Sequence, residues 1–456
     1  MVLKHRLNLF FDQAFLHSGW ARNVRIGIAE GRIIEIETDA SIQPDDERHA
    51  CALPGLPNLH SHAFQRGMAG LSELRGSSSD SFWTWRKIMY HFVGKLSPEQ
   101  MKDIAALAFM EMLENGFTRV GEFHYLHHTP DGQPYSDPSE MSQAIMSASE
   151  ETGIALTLLP VFYAHAGFGG LPPNPDQSRF IHDIDGFSRL LDQVRTRISV
   201  LDDGVLGLAP HSLRAVTPEE LGQLTELGRD NPIHIHIAEQ MAEVEACKKW
   251  SGQRPVDWLF DHAKVSGNWC LVHATHITAE ETSRLAESGA VAGICPITEA
   301  NLGDGIFPAE DYLALGGKLG IGSDSNIRID ASEELRLFEY GQRLSRQRRN
   351  VLSSETCKST GETLFHAALN GGAQALGRSA GLRVGNAADI VSLNMSDDSL
   401  IGKTDSQILD AFIFAAGQKA IDCVWRFGQR EVTNGRHRAR NVLSQKFKDT
   451  LLALTT

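Results

Sequence analysis

Residues 217–295 read TPEELGQLTELGRDNPIHIHIAEQMAEVEACKKWSGQRPVDWLFDHAKVSGNWCLVHATHITAEETSRLAESGAVAGIC. Three short apolar runs, PIHIHI, CLVHAT and AVAGIC, alternate with stretches of helical character. Thr217-Pro218-Glu219-Glu220 and Thr278-Ala279-Glu280-Glu281 are capping boxes that open helices. A short apolar strand followed by a returning helix, repeated, is the signature of a parallel sheet. The alternation continues outward. Ser97-Pro98-Glu99-Gln100 starts another helix that runs to about Asn115, with Gly116 placed to end it and a strand at 117–123 to follow. ALTLLPVF (155–162), GVLGLAP (204–210) and KLGIGSD (318–324) add further runs. Roughly eight such units in about 330 residues read as an α/β protein with a TIM-like (β/α)8 barrel. No GxGxxG stands at a strand–helix junction, which disfavours an open doubly wound sheet.

The flanks follow a different period. Residues 24–29 and Arg32–Glu37 alternate around Glu30-Gly31 as a β-hairpin. Residues 388–393 (ADIVSL) read as a strand, and 424–427 with 431–433 as a second hairpin around Gly428. Neither flank is large enough to stand alone, so both termini are expected to pair into one small β-sandwich. The expected layout is a first sandwich part at 1–53, the barrel at 54–383, a second sandwich part at 384–437 and a C-terminal helix at 438–456. Ser77-Ser78-Ser79 and residues 169–173 read as surface loops.

Composition narrows the function classes. The 456 residues are 42% hydrophobic and 22% charged, which is globular and excludes disorder for most of the chain. Formal charge is 43 − 57 = −14, a poor basis for binding nucleic acid. A small anionic substrate would need locally placed arginines. No apolar run approaches the roughly 18 residues of a membrane span, and the first 20 residues lack a signal-peptide core. Six dispersed cysteines without a CxxC pair fit reduced thiols, so a cytoplasmic location is expected.

Metal-competent side chains recur at the strand ends. His60 and His62 lie two apart, so a strand would point both the same way. His234 and His236 end one later run, His273 the next, and Asp324 the last. The C-terminal strand ends of a barrel converge on one face. Three histidines and an aspartate are an N/O donor set suited to zinc with one position open to water. Spacing alone leaves His234 and His236 equal candidates.

In that order, LPGLPNLHSH, HIHIAE, LVHATH and GIGSDSN resemble the amidohydrolase superfamily in its deaminase branch, across essentially the whole chain. GNAADIVSL and the terminal strand pairs resemble that family's composite β-sandwich. The run HSHAFQRGMAG (60–70) resembles the formimidoylglutamate deiminases of histidine degradation. The resemblance implies one Zn2+ per chain held by His60, His62, His236 and Asp324. It selects His236 over His234 because Glu239 completes His-x-x-Glu. It implies Glu239, His273 and Asp324 as catalytic residues and a homodimer as the assembly. Many relatives have Cys where this chain has Ala274, a change expected to affect packing. No lysine lies between Lys102 and Lys248, so a lysine bridge to a second ion is excluded, and Glu122 is the remaining bridging candidate.

The substrate so implied is N-formimidoyl-L-glutamate, a small dianion hydrolysed to N-formyl-L-glutamate and ammonia. Its two carboxylates call for donors and cations on the loops past the strands. Gln65, Arg86, Tyr125, His211 and Arg214 fill that requirement, arginine binding carboxylate bidentately. Arg66 reads as an ordinary ion pair, and Phe82, Trp83 and Trp85 as a lid or as core. The alternative is a deaminase of a nucleobase-like or triazine ring using the same metal chemistry. A catalytically silent scaffold would have lost donors, and every expected one is present.

Overall fold

A computed structural model of the chain describes residues 6–71, 73 and 82–455. The loop expected at Ser77-Ser78-Ser79 and the side chains of Phe82, Trp83 and Trp85 lie outside the described residues. Four strands come first: β1 (Leu7–Leu16), β2 (Gly19–Ala29), β3 (Arg32–Glu37) and β4 (Glu47–Pro54). The barrel strands are β5 (Leu56–Ser61), β6 (Phe117–His124), β7 (Ala155–Phe162), β8 (Val205–Leu206), β9 (Ala209–Pro210), β10 (Ile233–Ile237), β11 (Trp269–His273), β12 (Val291–Ile294) and β13 (Lys318–Ile321). Four more close the chain: β14 (Ile390–Leu393), β15 (Ile421–Arg426), β16 (Gln429–Thr433) and β17 (Arg436–His437).

The barrel strands form two parallel sheets, one from β5 to β9 and one from β10 to β13. Two seams join them. At the first, Asp324 N–H donates to the His60 carbonyl and His62 N–H to the Asp324 carbonyl, both at 2.9 Å. At the second, Leu208 bridges Ile233 and Ser212 bridges His236. GVLGLAP, expected as one strand, is two. At Gly207 the chain leaves β7, and Leu208 N–H turns to the Pro232 carbonyl at 3.0 Å. A Cβ at Gly207 would stand 2.6 Å from that carbonyl oxygen, so only glycine lets the backbone cross. The helix starts were legible: Ser97, Thr217 and Thr278 each cap a helix with a complete capping box.

The terminal strands form one sheet in the order β17-β16-β15-β14-β4-β1-β2-β3. It curls until β3 meets the segment leading into β14, where Ile33 N–H donates to the Asn386 carbonyl at 3.0 Å. The two layers so made enclose Phe11, Ile26, Ile28, Ile390 and Trp425, a core separate from that of the barrel. Both hairpin turns expected from the sequence use left-handed pairs, Glu30-Gly31 and Phe427-Gly428, as two-residue turns between twisted strands require. The C-terminal helix is Arg440–Thr455. All six cysteines are free, and five are buried.

The barrel floor is an apolar plug. Leu59, Cys270, Val272, Ala375 and Leu376 pack together there. A Cβ on Gly121 would lie 2.4 Å from the Leu59 carbonyl oxygen and 2.5 Å from Leu376 Cδ2. Gly121→Ala should therefore destabilise the fold by about 1–3 kcal/mol through overpacking. Gly222→Ala is the control, because among the described residues nothing lies within 4 Å of its added Cβ. It sits in the helix Pro218–Leu227 and should stabilise or leave stability unchanged. Urea midpoints of the two variants give the comparison.

Candidate active site

The barrel closure carries the site, because the seam between β5 and β13 fixes its donors. Asn58 Oδ1 accepts from Ser323 N–H at 3.0 Å, and its Nδ2 donates to Ser323 Oγ at 2.6 Å. Asn326 Nδ2 donates to Ser61 Oγ at 3.0 Å and to the His62 and Asp324 carbonyls at 3.1 and 3.2 Å. The chain leaves its strands abruptly here. Ala238 (φ 49°), His273 (69°), Ala274 (48°), Asp324 (44°) and Asn326 (52°) all sit in the left-handed region. Non-glycine residues hold such angles at a cost of about 1–3 kcal/mol each, so the surrounding bonds must enforce them.

His60, His62, His236 and Asp324 converge. His60 Nε2 is 3.2 Å from His62 Nε2 and 3.0 Å from His236 Nε2. Asp324 Oδ1 stands 3.2 Å from His62 Nε2 and 3.5 Å from His60 Nε2. All four donor atoms lie within 4.8 Å of one another. His62 donates Nδ1–H to the Phe123 carbonyl at 3.0 Å and His236 to the His211 carbonyl at 3.1 Å. Each bond fixes the tautomer and leaves an Nε2 lone pair facing the centre. His60 is held by packing, its ring edge-on to Phe123 at 4.9 Å. Burial pushes the His60 imidazole down to about 3 and lowers His62 and His236 as well, so all three imidazoles are neutral. Burial alone would raise Asp324. The hydrogen bond with His60 and the charge on His273 outweigh it and hold Asp324 below the usual carboxylate range. Lone pairs this close repel unless a cation lies between them. About 3.3 Å between nitrogens is what tetrahedral zinc with bonds of roughly 2.0 Å requires. The donor set fits the metal.

His234, on the same strand face as His236, bonds through Nε2 to the Ala375 carbonyl at 2.8 Å, in the floor. Glu122 accepts from Ala63 N–H at 2.7 Å, and burial pushes it up to about 8. Across from the four donors, His273 Nε2 stands 3.8 Å from both Glu239 Oε1 and Asp324 Oδ2. Its ring stacks on His236 at 5.5 Å and 11°. Burial pushes Glu239 up to about 7 against the pull of His273. Burial would lower His273, but Glu239, Glu299 and Asp324 raise it above its usual range. Glu243 ties the Glu239 turn by accepting from Ala238 and Glu239 N–H at 3.2 and 3.3 Å.

A cavity opens from this cluster and is lined by all five expected substrate residues, Gln65, Arg86, Tyr125, His211 and Arg214. Gln65 Nε2 donates to Tyr125 OH at 3.2 Å. Arg86 Nη2 donates to Tyr163 OH at 3.0 Å, and Gln177 Nε2 meets the same oxygen at 2.7 Å. Burial and the neighbouring Arg214 keep His211 neutral. Arg66 lies elsewhere, paired with Glu111 Oε2 at 2.7 Å. Tyr90, Tyr163, Phe180, Thr298 and Ser325 also line the cavity and were missed. Tyr163 directly follows a strand and Ser325 directly follows Asp324, so the strand-end rule that found the donors would have found both.

Residues 51–431 match the amidohydrolase family, and residues 9–50 match the N-terminal domain of formimidoylglutamate deiminase HutF. The chain is 49% identical to the formimidoylglutamate deiminase of Pseudomonas aeruginosa, over 97% of this chain and 98% of that one. It is 29% identical to the 8-oxoguanine deaminase of the same organism, over 90% and 89%. A crystal structure of an amidohydrolase from Brucella melitensis superposes with TM-score 0.96 at 52% identity, covering 99% of this chain and all of that one.

Metal-stripped protein should gain thermal stability on titration with Zn2+, since a ligand that binds only the folded state adds about 2.7 kcal/mol at one hundred times its Kd. His236→Ala and Asp324→Ala should show little of that gain, and Glu239→Gln should show it in full. Differential scanning fluorimetry across a Zn2+ series reads all four proteins. Equal shifts in His236→Ala and the parent would place the ion elsewhere.

Proposed function

This chain belongs to the amidohydrolase family, and we propose that it hydrolyses N-formimidoyl-L-glutamate to N-formyl-L-glutamate and ammonia. The likeness to the Pseudomonas aeruginosa deiminase along nearly the whole of both chains supports this most strongly. The cavity agrees with it: two arginines from separate elements face a three-histidine, one-carboxylate cluster. A dianion with an amidine at one end needs both.

We further propose zinc, one ion per chain, held by His60, His62, His236 and Asp324. A bound zinc ion supplies Lewis acidity and brings the pKa of a water molecule towards neutrality. The side chains do the rest. Asp324 offers Oδ1 to the donor cluster and keeps Oδ2 on the His273 side, where it takes a proton from the attacking water. Glu239, poised near 7, carries a proton to the departing nitrogen. His273 directs Nε2 at the gap between the two carboxylates and stabilises the oxygen of the tetrahedral intermediate. Water adds to the formimino carbon, its C–N bond to the terminal nitrogen breaks, ammonia leaves and a formamide remains. Arg86, braced by Tyr163, and Arg214, beside His211, take the two carboxylates, while Gln65 and Tyr125 line the path between. Glu122, already bonded to Ala63 N–H and neutral, is not needed as a bridge to a second ion. Homodimerisation and a cytoplasmic location complete the proposal. Among the described residues no helix is long and apolar enough to cross a membrane.

The direct test is ammonia release by zinc-loaded protein from N-formimidoyl-L-glutamate and from 8-oxoguanine in parallel. Faster turnover of the ring would overturn the assignment. Arg86→Met or Arg214→Met should lower kcat/KM for N-formimidoyl-L-glutamate by roughly ten- to a hundred-and-fifty-fold, or about 1.5–3 kcal/mol, the usual loss for a charged hydrogen bond. The loss should be much smaller for N-methylformamidine, which has no carboxylate. Glu239→Gln should cost at least about 10²-fold in kcat at unchanged metal content.

A further inference from the structure

Behind His273, on the side away from the substrate cavity, stands a carboxylate that the proposed chemistry does not use. Glu299 lies in the short helix Pro296–Leu302 and is 5% exposed. Its Oε1 is 3.2 Å from His273 Nδ1 and 2.8 Å from Cys295 N–H. It borders a neighbouring groove with Ile306 and Phe338 rather than the cavity, so it cannot touch substrate. A buried carboxylate is expensive unless its oxygens are engaged, and capping one helix turn does not require a charge.

We infer that Glu299 is a positioning residue for the deimination, accepting the Nδ1–H of His273 so that Nε2 faces Glu239 and Asp324.

Three observations carry it. First, His273 has φ 69°, outside the strand range, so regular strand geometry does not aim its side chain. Second, the stack on His236 fixes the ring plane but not which nitrogen is turned toward the site. The bond to Glu299 settles that, and Nε2 is left at 3.8 Å from each carboxylate across the site. Third, His273, Cys295 and Glu299 group closely enough to suggest a metal triad, yet Glu299 Oε1 already takes two N–H donors. Burial keeps the Cys295 thiol protonated, so the cluster is a hydrogen-bonded support. An outer carboxylate that orients a working histidine is typically worth 10–100-fold in activity.

The inference rests on the deiminase reading above, and a double-mutant cycle separates the two. In zinc-loaded protein Glu299→Ala should lower kcat for N-formimidoyl-L-glutamate by about 10–100-fold, with KM within about twofold and metal content unchanged. In the His273→Ala background the same substitution should change kcat by less than about twofold, because the group it acts through is gone. Glu299→Gln keeps an acceptor at Oε1 and should recover most of the rate. Equal losses in both backgrounds would assign Glu299 to helix capping alone and overturn the inference, as would Glu299→Ala at the parental rate. If Glu299→Ala does not fold or load metal, Glu299→Leu, near in size and without an acceptor for Nδ1–H, takes its place in the cycle. A loss of about threefold or more that vanishes beside His273→Ala then supports positioning, and an equal loss or none overturns it. A parent protein inactive on N-formimidoyl-L-glutamate would instead overturn the deiminase reading.

Discussion

Three imidazole nitrogens held 3.0 to 3.2 Å apart along two edges, with a carboxylate oxygen beside them, are a repulsive arrangement in an empty protein interior. Much of the molecule can be understood as the means of keeping it. Two of the rings are fixed from behind by backbone carbonyls of Phe123 and His211, which belong to neighbouring strand ends. The carboxylate is fixed by the seam that closes the barrel, where Asn58, Ser61, Ser323 and Asn326 exchange hydrogen bonds. Closure of the fold and assembly of the donor set are therefore the same event. A barrel open between β5 and β13 would separate His60 and His62 from Asp324.

The same constraint explains where strain is concentrated. Five non-glycine residues with left-handed φ cluster at the ends of the strands that lead to the donors, Glu239 and His273. Regular strands place side chains on alternating faces, whereas this site needs consecutive elements to aim at one point. Turning the backbone sharply just past the strand provides that freedom. The cost is met by the buried network around the turn: Glu243 on the Glu239 turn, Glu299 on His273, Asn326 on the loop after β13. The sandwich core, which includes Phe11 and Trp425, is separate from that of the barrel.

The barrel and its donors were legible because both follow from short-range rules. Capping boxes at Ser97, Thr217 and Thr278 marked the helix starts, and the two-residue spacing of His60 and His62 marked a shared face. Spacing alone did not separate His234 from His236. The difference lies in depth, since one reaches the Ala375 carbonyl in the floor and the other the donor cluster. The division of GVLGLAP into two strands was also hidden, because it depends on Leu208 switching partners to a segment more than twenty residues away. Tyr163 and Glu299 act on residues far along the chain, Arg86 and His273, and no local pattern announces such contacts.

In the proposed centre one cation sits among His60, His62, His236 and Asp324, and the surrounding bonds hold that geometry. Zinc K-edge X-ray absorption on protein loaded to saturation, with metal content measured on the same sample, tests it directly. The expected result is one zinc per chain with only nitrogen and oxygen neighbours at about 2.0–2.2 Å, the outer-shell pattern of three imidazoles included. A sulfur neighbour near about 2.3 Å would place the ion at a cysteine-bearing cluster, and a second metal at about 3.5–4 Å would make the centre binuclear. Either result would rule out a single zinc held by these four residues.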